Sequence, residues 1–187
     1  SPLPLKAFIN GLNYHLPTDI AVKAAYRMNR SFDVRRQAIS REYHYCLLNS
    51  PTRSPLREGF SHLISQNLNI DDMNLASQAL IGEHDFASFT TSVGLKSTVR
   101  RVYQAETRKE GDGVVFTMVA NSFLPHQVRA TVGSLIKVGL GRMSPEEFCD
   151  IIEAKKPGLA GPMVPAAGLS LVKVNYPRPF EEYDENL

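Results

Sequence analysis

Two strand-like runs, Val99 to Glu110 and Val114 to Asn121, joined by Gly111-Asp112-Gly113, do most to limit what this chain can fold into. Glycine and aspartate tolerate the positive φ that tight turns require, so the joint reads as a hairpin. Other segments supply partners for that pair. SREYHYCLLN, residues 40–49, alternates with period two. Arg41, Tyr43, Tyr45 and Leu47 fall on one face, and Glu42, His44, Cys46 and Leu48 on the other. Phe60 to Ile64 reads as a short strand, Gly168 to Tyr176 as a last one, and Ile20 to Met28 as a further candidate. Arg35 to Ser40 is ambiguous.

Helices are marked by spacing and by caps. Leu5 to Leu16 carries Phe8, Leu12 and His15 at three- and four-residue intervals, and Pro17 ends it. Asp71 and Asp72 suit a helix N-terminus running to Ile81, with Met73, Ala76 and Leu80 on one side and Gly82 as its stop. Ser144-Pro145-Glu146-Glu147 has a serine N-cap, proline at the first helical position and a glutamate to complete a capping box. Strands outnumber helices and hairpin-length links are frequent. The expected fold is α+β, a mainly antiparallel sheet with helices packed on one face.

A third helix contains the arginine that matters most. In NSFLPHQVRATVGSLIKVGLG, residues 121–141, Val128, Val132, Leu135 and Ile136 recur at helical spacing. Arg129 lies within about 20° of the azimuth of Ile136, on the side expected to be buried. A guanidinium cannot shed its charge, so there it needs a nearby anion or must snorkel its head to water; geometry alone leaves both readings open.

A chain of 187 residues can hold a real core, as one large domain or one and a fraction. No apolar run reaches the ~20 residues of a membrane-spanning helix, and the start shows no signal-peptide pattern. Cys46 and Cys149 stand alone, which fits a reduced, cytoplasmic setting and argues against structural zinc. The five histidines make no H-E-x-x-H or H-x-H pattern, and no P-loop or G-x-G-x-x-G is present. Ser134 lacks the second glycine of a nucleophile elbow. The expectation is no metal and no cofactor.

Net charge is only +2, yet it is unevenly spread. Lys23, Arg27, Arg30, Arg35, Arg36 and Arg41 face Asp33 alone within their segment. Lys96, Arg100, Arg101, Arg108 and Lys109 outnumber Glu106 and Glu110, whereas Glu181, Glu182, Asp184 and Glu185 make the end acidic. Two basic clusters favour a polyanionic partner, though any one cluster is more often a solvated face.

Six blocks in order carry a resemblance. They are FINGLNYHLPTDIAV; SFDVRRQAISREYHY; LIGEHDFASF; STVRRV; FLPHQVRATVGSLIKVG; and GLSLVKVNYP. Together they resemble the TruA family of tRNA pseudouridine synthases over nearly the whole chain. Pro125-His126-Gln127 departs from many members. The resemblance implies a pseudouridine synthase-like fold, with residues 1–35 a remnant of the N-terminal α/β half and 36–187 the C-terminal half. It implies isomerisation of uridine to pseudouridine in the tRNA anticodon stem-loop by a cytoplasmic homodimer using one aspartate nucleophile and no cofactor. Tyr43 falls at the position of the pocket tyrosine that contacts the target uracil, with Tyr45 left to the core. Arg129 falls at the position of the arginine that pairs with the aspartate. That aspartate belongs to an R-T-D-A-G-V-H-A-like motif that the 187 residues do not contain. The expectation is therefore a C-terminal fragment, inactive by itself.

Arg35, Arg36, Arg41, Lys96 and Arg100 are the candidates for phosphate contacts; Arg35 has a structural alternative. Asp85, in H-D-F, reads as holding a turn before Phe86 and Phe89, and His126 as a capping or exposed residue. Two other readings stand beside the enzyme: a non-catalytic RNA-binding module or shortened homologue, and an assembly protein without RNA affinity.

Overall fold

The computed structural model describes residues 3–92 and 94–180; the acidic stretch 181–187 lies outside the described residues. The described residues form two compact units, one from those up to 38 together with those from 176 on, the other from those between 39 and 175. In the first unit, α1 (Leu5–His15) buries none of its side chains. Tyr176 packs on Phe180 and Phe32, and its hydroxyl donates to the Val34 carbonyl at 2.8 Å. Ile20 to Met28, expected as a strand, joins no ladder. Asn13 explains part of this, because its side-chain amide takes both the N–H and the C=O of Val22 at 2.7 and 2.9 Å. Backbone groups satisfied that way do not recruit a neighbouring strand.

The second unit is built on a six-stranded sheet of β1 (Ser40–Asn49), β2 (His62–Ile64), β3 (Gly82–Asp85), β4 (Val99–Glu110), β5 (Gly113–Ala120) and β6 (Leu169–Asn175). The order is β2-β1-β5-β4-β3, with β6 also paired to β1. Only the β1–β2 pair is parallel among these; the rest are antiparallel, as expected. The β4–β5 hairpin turns on two residues, Gly111 and Asp112, with Gly113 already opposite Glu110. Gly111 takes φ 65°, the positive value that the first central position of a type II′ turn needs.

β3 was not visible in the sequence: Gly82, read as a helix stop, starts a strand with φ 118°. The helix before it, α2 (Ile70–Gln78), starts one residue earlier than Asp71 and is capped by Asn69, whose side chain accepts from the Asp72 amide. The other two helices are α3 (Gln127–Gly139) and α4 (Pro145–Ala154), and α4 carries both halves of the Ser144–Glu147 capping box.

Alternation decides which sheet face is the core. Tyr45 and Leu47 pair across β1–β5 with Phe116 and Val114, and all four are fully buried. Ser77 of α2 shares a 2.7 Å hydrogen bond with Thr107 of β4, which fixes that helix over the hairpin. Phe148 of α4 packs on Phe89 at 5.9 Å between ring centroids. Helices α2, α3 and α4 thus gather on the Tyr45 side, and Glu42, His44 and Cys46 lie on the other, only partly buried.

Candidate functional site

Tyr43 sits on the core-facing side of β1, opposite Met118 on β5 and Leu171 on β6. It is half-buried, with its ring edge-on to Phe123 at 4.9 Å and 79°. Tyr45, two residues on, is wholly buried, and its hydroxyl donates to the Pro165 carbonyl at 2.7 Å. Burial pushes that phenol up to about 12, an effect the nearby Arg129 charge opposes. Arg129 and Tyr45 donate to the adjacent carbonyls of Val164 and Pro165.

The sequence put Arg129 on the buried stripe of α3. The helix is in fact buried nearly all round, and Arg129, Gly133 and Lys137 form its least buried line. What covers that line is not the sheet but residues 160–165. The Arg129 Nε donates to the Val164 carbonyl at 2.7 Å, and the Val164 amide returns to the Arg129 carbonyl at 3.4 Å. No carboxylate among the described residues pairs with this guanidinium. The arrangement is a half-buried cation with its Nε edge anchored to backbone and no carboxylate among the described residues on its other nitrogens.

The basic candidates separate by setting. Arg41 shares the Tyr43 face and donates to the Asn121 carbonyl at 2.6 Å, tying the start of β1 to the end of β5. Arg100 folds back onto the Ser97 and Val99 carbonyls; burial lowers its pKa and leaves its Nε without a partner. Lys96 stands exposed in the segment before β4. Arg35 and Arg36 lie in the first unit. Both of their amides donate to Asp33, whose carboxyl is held below its usual range by the Arg36 and then the Arg35 amide. Arg36 also pairs with Asp33 at 3.6 Å.

Asp85 accepts from the Ala87 amide at 3.0 Å and so holds the turn between two fully buried rings, Phe86 and Phe89. His126 occupies the N-cap position of α3 in the left-handed region, φ 65°, and its side chain makes no cap bond. Cys46 and Cys149 are free thiols, each raised by burial. No cluster of metal-ligating side chains occurs among the described residues, and none of their helices is long and apolar enough to cross a membrane.

Three contributors escaped sequence reading: Phe123 against Tyr43, and the carbonyls of Val164 and Pro165. Gly133 was the available signal. A glycine inside a good helix costs about 1 kcal/mol relative to alanine and usually marks a close approach.

A family model described as tRNA pseudouridine synthase matches residues 76–177. The chain is 42% identical over 175 residues to tRNA pseudouridine synthase A of Francisella tularensis subsp. holarctica, covering 93% of this chain and 68% of the relative. The same protein of Francisella tularensis subsp. novicida gives the same identity and coverage. That of Pelobacter propionicus is 39% identical over 175 residues, covering 93% of this chain and 72% of the relative.

Proposed function

Since the chain belongs to the tRNA pseudouridine synthase family, we propose that it forms the base-contacting, arginine-bearing part of an enzyme that isomerises uridine to pseudouridine in the tRNA anticodon stem-loop. The observation that carries this reading is Arg129. It is tethered through Nε to the Val164 carbonyl, next to the Pro165 carbonyl that takes the hydroxyl of Tyr45, two residues from Tyr43, and it lacks a carboxylate partner among the described residues.

The reaction breaks the bond from the ribose C1′ to N1, turns the base, and joins C1′ to C5, which gives up its proton to solvent while N1 takes one up. An aspartate attacks, and its carboxylate must be ionised and aimed. A guanidinium beside it favours the charged form and fixes direction through paired hydrogen bonds. Taking the target base out of its stack costs a few kcal/mol. Contact with an aromatic ring returns ~1–3 kcal/mol of that, the role assigned to Tyr43. Phe123 braces the tyrosine ring from the side, so its face is presented in a fixed direction.

Lys96 is the phosphate contact best supported by exposure, with Arg35 and Arg36 next. Arg41 and Arg100 are already engaged with backbone carbonyls, so any contact they make with RNA needs a shared or rearranged guanidinium. The enzyme is taken to act as a cytoplasmic homodimer, as the family resemblance implies.

Tritium release from tRNA carrying C5-labelled uridine tests the proposal. A chain that joins the aspartate motif to these residues should release label, and the 187 residues alone should not. Release by the 187 residues alone would remove the need for an outside aspartate. Silence from the joined chain would overturn the enzyme reading.

A further inference from the structure

We propose that Gly133 is a positioning residue for Arg129, acting through a backbone strap formed by residues 160–165. The strap runs along α3 in the opposite direction to the helix. Ser134 donates to the Ala160 carbonyl at 2.7 Å, and Arg129, one turn nearer the helix start, donates to Val164 at 2.7 Å. Between these two points the Pro162 carbonyl comes down onto Gly133. A Cβ there would overlap the Pro162 oxygen, and that oxygen is backbone and cannot rotate aside. Any side chain at 133 therefore lifts the strap.

The far end of the strap is held separately. Pro165 accepts from the Tyr45 hydroxyl at 2.7 Å, and Gly168 lets the chain pass so close to β1 that a Cβ would stand 2.6 Å from the Cys46 carbonyl and 2.9 Å from the Tyr45 ring. The Val164 carbonyl is thus placed by a contact on each side, and it decides which edge of the Arg129 guanidinium is occupied. With Nε committed to Val164, the other edge is the one left to meet an anion. Lifting the strap frees the side chain to rotate without removing its charge. This inference rests on the reading of Arg129 as the arginine that pairs with a carboxylate.

The test compares two glycines of one helix. Gly139 is also crowded, with an added Cβ 2.5 Å from the Met73 sulfur and 2.9 Å from Leu68, but its neighbours are those side chains and not the strap. In the 187-residue chain, the Arg129 Nε–H resonance is assigned by its loss in Arg129→Lys, and its exchange with solvent is measured. The expected result is slow exchange in the parent and in Gly139→Ala, and exchange at least tenfold faster in Gly133→Ala. Both glycine variants should lower thermal stability, so a merely structural effect would not separate them. If Gly133→Ala fails to fold, Tyr45→Phe releases the strap at its other end and should also speed Nε–H exchange.

In a chain that includes the aspartate motif, Gly133→Ala should lower kcat by about 10²-fold with KM for tRNA unchanged, the loss expected from a misplaced reacting group. Slow Nε–H exchange in both Gly133→Ala and Tyr45→Phe overturns the strap proposal. Full turnover by Arg129→Lys would instead overturn the functional reading, and the exchange result would still stand on its own.

Discussion

Tyr45→Phe should destabilise the protein at neutral pH and cease to matter in alkali. The hydroxyl is wholly buried and donates to Pro165 at 2.7 Å, so its removal leaves a carbonyl without a donor. Such a loss costs about 1–2 kcal/mol for a neutral pair. The alkaline part follows from the phenol, which burial raises from 10.0 to about 12 against the opposing charge of Arg129. A group whose folded pKa is raised contributes stability that is complete below its unfolded value and drains away as pH climbs through the folded one. The window is therefore pH 10 to 12. The full shift corresponds to at most about 2.7 kcal/mol. Solvent screening near the half-buried guanidinium reduces this, leaving on the order of 1 kcal/mol lost by pH 11. Urea denaturation of parent and Tyr45→Phe at pH 8, 9, 10 and 11 measures the gap between them. Other tyrosines and the lysines titrate in both proteins and cancel. The gap should be steady to pH 9 and shrink by about 1 kcal/mol at pH 11. A gap that stays constant or widens would refute the buried, neutral phenol.

Two further predictions follow from single contacts. In a chain that carries the aspartate motif, Tyr43→Phe should keep most base stacking and lose only what the hydroxyl supplies, whereas Tyr43→Ala should lose both, a further ~1–3 kcal/mol in tritium-release kinetics; equal full activity in the two variants would remove Tyr43 from the pocket. Ser77→Ala should cost about 1–3 kcal/mol in urea denaturation because it strands the buried Thr107 hydroxyl, and Ser77→Ala with Thr107→Val should recover most of it.

Local signals carried the frame of this protein. A Gly-Asp turn between alternating runs implied the hairpin, Ser144 to Glu147 implied the start of α4, and period-two alternation in residues 40–49 separated Tyr43 and Tyr45 from Glu42 and His44. These features are decided by a residue and its near neighbours, so they can be read before any fold is known. The failures share a different cause. Ile20 to Met28 has the composition of a strand, but its pairing was settled by the Asn13 side chain at Val22. β3 is four residues long and exists because Val99 to Val102 are there to pair with it. Arg129 is the most instructive case. Helical periodicity placed it near the azimuth of Ile136, on a side expected to be buried, and the structure leaves it half-buried under residues that include the core members Ala160 and Val164. Periodicity reports which residues share a line on a helix; it cannot report whether a sheet, water or a returning loop covers that line. Here the cover is a strap thirty-odd residues downstream. It approaches closely enough to need a glycine at 133, and it offers a carbonyl rather than an acid to the guanidinium. An arginine on such a line is half-buried, with its Nε held by a carbonyl from a distant loop, a geometry that one helix alone does not encode.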